Sequence, residues 1–248
     1  MPDGRRIRSG LLLRGGDLSR ASDEDLAALS RKYRVAKVFD FRTSMEVRRA
    51  PDREVEGALN IWLPAFNEDS QTMAAMSLPQ SAYLDLPRWL AAHASDPRVQ
   101  DVASRLYTDM VIEEFTQIQY AGFLQNILNT EDGAVYWHCS QGKDRCGFGS
   151  AMVLAALGAD KDLIIRDFAL SNESYADLLD KIVGKAREMD YSDAEINTIY
   201  MLVGVSVDNF SKTMDMIEQR YGSLDEYLTT ALDCDEEQRA MLRARFLE

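Results

Sequence analysis

The decapeptide His138-Cys139-Ser140-Gln141-Gly142-Lys143-Asp144-Arg145-Cys146-Gly147 lies between the apolar run Ala134–Trp137 and the helix-forming stretch Phe148–Leu157. That order reads as strand, polar loop, helix. It constrains the fold to an α/β type in which a loop at the carboxyl end of a strand opens directly into a helix. Such a junction gathers free backbone N–H groups at one point and aims a helix dipole at it, which suits a phosphate-sized anion. A thiol placed there is expected to be acidified toward thiolate. A guanidinium from the same loop can grip two phosphate oxygens at once.

The rest of the chain supplies the sheet and its cover. Val35–Phe41 alternates and is rich in β-branched and aromatic residues, predicting a strand; Ala58–Leu63, closed by Pro64, predicts another. Ser22 is read as an N-cap for a helix running to about Tyr33. Residues 67–78 read as loop, and helices are expected over about 79–94 and 98–129, the second broken near Glu113. After the central loop the chain is helical in pattern. Ser192–Glu195 and Ser223–Glu226 match the capping box, and Tyr221-Gly222 reads as a helix end. The predicted fold class is therefore α/β: a small central, largely parallel sheet flanked by helices, with a helical C-terminal extension from about residue 173. One domain is expected over 1–248, with about 67–130 a helical insertion and possible lid over the site.

Composition excludes several alternatives. The 248 residues carry 28 basic against 41 acidic side chains, net -13, which argues against nucleic acid as a partner. No apolar run approaches the ~20 residues that span a bilayer. Three cysteines and two histidines, without paired short spacings, argue against a zinc site or a disulfide framework. The odd cysteine count suits a reducing compartment, so a cytoplasmic location is expected. No metal and no cofactor is expected.

The loop in its fuller form, His138-Cys139-x-x-Gly142-Lys143-Asp144-Arg145, resembles the phosphate loop of one bacterial branch of the protein tyrosine phosphatase superfamily. These are the tyrosine/serine, dual-specificity-like phosphatases related to the secreted mycobacterial phosphatase B. Leu13–Ser19 looks like the family's "R-S-x-x-L-S" entry segment, and Val38–Thr43 like its "D-L-R-S" strand end. Asp167–Asn172 resembles its "D-Y-L-x-S-N", and Tyr221–Leu224 its late "Y-G-S" segment. The family carries a further element ahead of the entry segment, and this chain opens too late to include it. A second departure is Cys146, where the family carries threonine or serine.

The resemblance implies a role for each loop residue. Cys139 would attack phosphorus as a thiolate, giving a phosphocysteine that water hydrolyses. Arg145 would bind two phosphate oxygens and the backbone N–H groups of 140–145 would complete the cradle, so that Ser140 and Gln141 matter through their backbones more than their side chains. Gly142, Lys143, Cys146 and Gly147 are expected to line the same substrate site. His138 would support the loop and tune the thiolate. Lys143 is either solvated or contacts a second anionic group, such as another phosphate of an inositol ring. The general acid is expected to be Asp144, with Asp69 or Glu68 as rivals and Asp40 a third, although Asp40 and Arg42 also read as a structural pair. Cys146 is either a small residue tolerated at a hydroxyl position or a resolving thiol for an oxidised Cys139. A thiol donates a weaker hydrogen bond than a hydroxyl, so the phosphoenzyme is expected to form more readily than it discharges. Methionine and leucine stripes between Met73 and Met110 read as lid or core.

The expected activity is phosphomonoester hydrolysis, on phosphorylated protein and above all phosphotyrosine. Phosphoinositide or inositol-phosphate hydrolysis is the alternative within the same chemistry. A non-catalytic phosphate-binding module is the alternative outside it.

Overall fold

A computed structural model of the chain describes residues 1–68 and 96–248. Among the described residues, four strands form one all-parallel sheet: β1 (Leu12–Gly15), β2 (Val35–Asp40), β3 (Leu59–Trp62) and β4 (Ala134–His138), in the order β1-β4-β2-β3. The central strand β4 is buried along its whole length. This is why it reads as a continuous apolar run and not an alternating one. The short edge strand β1 has no such signature, since its four residues are only half-buried and include Arg14. It was legible as a motif and not as a strand.

The pleat divides the side chains between two layers. Val135 and Trp137 of β4 and Phe39 of β2 face the larger core. Ala134 and Tyr136 face the smaller one, with Val35, Val38 and Leu18. Val35 and Val38 share a face despite their odd spacing because the β2–β4 register shifts between Val35 and Lys37. The extra residue flips the parity of everything after it.

Helices cover both faces. On the side of the smaller core lies α1 (Asp23–Ala27), capped by Ser22 in a reciprocal box with Asp25 and continued by a wider turn over Ala28–Lys32. After β2, α2 (Ser44–Arg49) is capped by Thr43 in a box with Glu46. The predicted break at Glu113 is present: its extended backbone (ψ 118°) separates α3 (Pro97–Ile112) from α4 (Glu114–Leu128). The helix opened by the loop, α5 (Asp144–Ala156), is buried from Cys146 to Ala156. It is apolar nearly all round because neighbours enclose it on every side.

The C-terminal part continues with α6 (Lys161–Ala169), α7 (Ala176–Glu188), α8 (Asp193–Val203), α9 (Val207–Tyr221), α10 (Leu224–Thr230) and α11 (Glu236–Phe246). The box at Ser192–Glu195 is complete, whereas at Ser223 only the serine half is made. Gly222 ends α9 with φ +88°, as a left-handed C-cap does. Tyr227, Leu228, Leu242 and Phe246 join the same core as β4 and α5. Backbone bonds of Arg6 and Arg8 to Glu248 and Phe246 tie the first residues to the last.

Met110 is buried in the larger core. Met73, Met76, Leu84, Leu86, Trp89, Leu90 and Asp69 lie outside the described residues, as does the helix expected over 79–94. Among the described residues no helix is long and apolar enough to cross a membrane.

Candidate active site

Strand register places the site. Gly15, His138 and Asp40 lie side by side at the carboxyl ends of β1, β4 and β2, and Cys139 is the first residue beyond that row. The chain then turns through Gly142, whose φ is +71°, and enters α5. A Cβ on Gly142 would stand 2.4 Å from the carbonyl carbon and oxygen of Gly15. The turn therefore needs glycine for both its conformation and its closeness to the neighbouring strand.

The loop is held by its carbonyls. Ser140 O accepts from Asp17 N–H at 3.4 Å and Gln141 O from the Tyr175 hydroxyl at 3.2 Å. Arg145 O accepts from the Tyr120 hydroxyl at 2.9 Å, and Cys146 O from the Trp137 indole at 3.3 Å. A trans peptide points its N–H opposite to its C=O. Tying the carbonyls of Ser140 and Gln141 outward therefore turns the next N–H groups inward, and that of Gln141 reaches the Cys139 sulfur.

Cys139 is 2% exposed, yet its pKa is lowered to about 5. The hydrogen bond donated by the Cys146 thiol contributes most, followed by the Arg145 charge and the Gln141 N–H, against burial and the charge of Asp144. Burial pushes the Cys146 thiol up, and its bond to Cys139 pushes it further. The proton thus stays on Cys146 while Cys139 is a thiolate at neutral pH.

Arg145 is gripped end-on by a residue that the sequence reading did not single out. Its two terminal nitrogens lie 2.7 and 2.8 Å from the two carboxylate oxygens of Glu46 on α2. Glu46 also accepts from the Ser140 hydroxyl at 2.6 Å and from the Thr43 amide at 2.9 Å. Burial works against its charge, but these bonds, led by Arg145, hold its carboxyl at about 2. One carboxylate thereby caps a helix, orients the arginine and fixes the loop. Among the described residues, all the hydrogen bonds of the Arg145 guanidinium come from its terminal nitrogens, one of which also reaches Phe41 O at 3.4 Å. Thr43-Ser44-Met45-Glu46 matches the capping-box pattern, so a signal was present; its second use was not.

Beneath the loop, Arg42 is almost completely buried. Its guanidinium bonds Asp40 through Nε at 2.9 Å and through a terminal nitrogen at 2.8 Å, and that terminal nitrogen also reaches Asp52 at 2.5 Å. Asp52 is the second residue that the sequence reading missed. It lies 3.2 Å from His138 Nε2 and accepts from Leu18 N–H at 2.7 Å. Asp40, Asp52 and His138 are grouped closely enough to resemble a cation site. The Arg42 guanidinium already supplies the positive charge there, and Asp40 is committed to it. This fits a structural pair better than an acid.

Three expectations for the loop are corrected. Lys143 neither reaches solvent nor lines the mouth: it is 4% exposed, and its ammonium bonds the carbonyls of Met201, Leu202 and Gly204 at 3.0, 3.1 and 2.6 Å. Those carbonyls end α8, where a cation is favoured by the unpaired oxygens and the dipole. Gly147 does not join the cradle. Its N–H bonds Lys143 O at 2.6 Å within α5, and a Cβ there would meet the Phe168 ring at 2.6 Å. Ser140 acts through its side chain, on Glu46, as well as through its backbone.

Asp144 opens α5 with one carboxylate oxygen 2.8 Å from the Tyr107 hydroxyl and the other 3.4 Å from the Lys143 ammonium. Glu68 is exposed, and Ser44 holds its carboxyl below the usual range. The entry segment and the Asp167–Asn172 motif meet behind the loop. Arg14 bonds Ser150 at 3.2 Å and Ser171 at 2.5 Å and pairs with Asp167 at 3.5 Å. Asn172 pairs with both backbone groups of Val205, at 2.8 and 3.0 Å.

This arrangement agrees with the comparisons to known proteins. The chain is 29% identical over 245 residues to the triple specificity protein phosphatase PtpB of Mycobacterium tuberculosis, covering 91% of this chain and 87% of that one. It is also 29% identical over 247 residues to a protein of Cupriavidus necator whose name assigns it provisionally to the tyrosine-protein phosphatases, covering 98% and 81%. A tyrosine-protein phosphatase of Nostoc commune shares 27% over 168 residues, 66% of this chain and 49% of its own. A model described as the tyrosine phosphatase family matches residues 1–248. The chain belongs to the tyrosine phosphatase family and is a phosphoric monoester hydrolase.

Proposed function

We propose that the chain hydrolyses phosphotyrosine in proteins through a phosphocysteine on Cys139. The observation that carries this reading is a thiol held at about 5 in contact with the N–H of Gln141, beside an arginine that Glu46 fixes. The substrate phosphate enters as a dianion, with Arg145 and the inward N–H groups on its oxygens. The Cys139 thiolate attacks in line, and the tyrosine oxygen leaves with a proton. Asp144 donates that proton. Tyr107 and Lys143 hold its carboxyl at the helix start. Water then attacks the phosphocysteine, with Asp144 as base. The departing thiolate is received by the Cys146 S–H, the Gln141 N–H and Arg145. A recessed nucleophile favours a phosphate on a long flat stem, which supports tyrosine over serine.

Triple specificity, printed in the name of the mycobacterial relative, is a statement about that protein. Here Lys143 is spent on α8, which removes the loop cation that a second ring phosphate would meet. Phosphotyrosine is therefore placed ahead of phosphoinositides.

The test is turnover of para-nitrophenyl phosphate with chelator present. Wild type is expected to be active, with an acid limb in kcat/KM near pH 5, and Cys139→Ser to be inactive. Activity that survives Cys139→Ser overturns the mechanism, and an inactive wild type that still binds phosphate favours the binding module. An acid–base profile unchanged in Asp144→Asn removes Asp144 from its role. Phosphotyrosine peptides, phosphoserine peptides and phosphoinositide vesicles then rank the substrates.

A further inference from the structure

Behind the phosphate loop, β1, α5 and α6 leave between them an open cleft of about 410 Å³, the size of a small-molecule site. No residue of 138–147 lines it. Part of its lining is apolar, supplied by Leu12, Val153, Leu154 and Leu170, and Leu170 is 53% exposed. The rest is polar and carries one charge of each sign, Arg14 and Asp167, beside Ser150, Ser171 and Ser174.

These polar groups are incompletely matched. Ser150 and Ser171 are buried, and each accepts a hydrogen bond from Arg14, at 3.2 and 2.5 Å. Among the described residues neither hydroxyl hydrogen has an acceptor, and neither does Arg14 Nε–H. Asp167 has one partner among the described residues, a terminal nitrogen of Arg14 at the long distance of 3.5 Å. Burial raises its carboxyl against that charge. The cleft thus offers unspent donors beside a guanidinium, which suit a carboxylate, and an unspent carboxylate oxygen, which suits an ammonium. An anion alone would meet Asp167, and a cation alone would meet Arg14. A small ligand that carries both charges satisfies both.

We propose that this cleft binds a free α-amino acid with an apolar side chain. Its carboxylate lies on Arg14, Ser150 and Ser171, and its ammonium on Asp167. Its side chain packs against Leu154 and Leu170. The cleft is separate from the phosphate cradle, so both can be occupied at once.

The full chain is titrated calorimetrically with L-leucine and L-phenylalanine, with and without inorganic phosphate to fill the loop. One site per chain is expected, with a Kd on the order of 1 mM, unchanged by phosphate and by Cys139→Ser. Removing either charge of leucine, in 4-methylpentanoate or 3-methylbutylamine, should weaken binding about tenfold or more. Glycine, which has both charges and no side chain, should also bind more weakly. In Asp167→Asn the advantage of leucine over 4-methylpentanoate should disappear. Leu170→Ser, at an exposed position, should weaken leucine and leave hydrolysis of para-nitrophenyl phosphate as in wild type. No heat from either amino acid at about ten times the expected Kd overturns the proposal. So does 4-methylpentanoate bound as tightly as leucine, or leucine displaced by phosphate. Unchanged leucine binding in Leu170→Ser overturns it even where Asp167→Asn does not fold.

Discussion

Replacing Glu46 by glutamine keeps the size and the backbone-capping oxygen of the side chain but removes the charge that fixes Arg145. Its cost follows from the proton equilibrium. Glu46 titrates at about 2 in the folded chain against 4.5 in the unfolded one. At 1.36 kcal/mol per pH unit the folded state gains about 3 kcal/mol from that carboxylate at neutral pH. The side chain is 30% exposed, so solvent screening reduces this to about 2 kcal/mol. The sign is set by a lowered pKa: the contribution is complete above 4.5 and disappears as pH falls toward 2, because the unfolded chain takes up the proton first. Urea melts of wild type and Glu46→Gln should therefore differ by about 2 kcal/mol at pH 7, and the difference should shrink steadily below pH 4.5. In the same variant kcat should fall by about ten- to a hundredfold, since an unfixed Arg145 no longer meets the phosphate in register. A stability difference that is constant from pH 7 to pH 3, or a variant as stable as wild type at pH 7, would refute the argument.

Three further outcomes are expected. Cys146→Ser supplies a stronger donor to the leaving thiolate, so the pre-steady-state burst on para-nitrophenyl phosphate should shrink and kcat rise, by about tenfold for each 1.4 kcal/mol gained; a larger burst contradicts this. Gly142→Ala forces a Cβ to 2.4 Å from Gly15 at a positive φ, so it should cost more than about 2 kcal/mol in a thermal melt and abolish phosphate binding. Lys143→Met leaves the carbonyls of Met201, Leu202 and Gly204 without their cation, and chemical denaturation should show a loss of about 2–3 kcal/mol. Its ratio of phosphotyrosine to phosphoinositide turnover should stay as in wild type; selective loss of phosphoinositide turnover would return Lys143 to the mouth.

What the sequence by itself determined was local. The apolar run at Ala134–Trp137, the loop of His138–Gly147 and the helix beyond it are contiguous, so pattern and turn chemistry were enough to identify the α/β junction and to bring Cys139 and Arg145 together. The caps at Ser22 and Ser192, the break at Glu113 and the stop at Gly222 are likewise short-range effects written in a few residues. Tertiary structure decided what depends on distant partners. Glu46 and Asp52 are acids in an ordinary charged stretch until β2 and α2 carry them beneath the loop, where they bond Arg145 and Arg42 and Asp52 lies 3.2 Å from His138 Nε2. Lys143 is one of two cations in the loop by sequence, and only the position of α8 shows that its charge is directed away from the cradle. Cys146 stands seven residues from Cys139 in the chain, and only the curvature of the loop into α5 buries its sulfur 3.8 Å from Gly15 O and 3.9 Å from Trp137 O, where it helps to acidify Cys139.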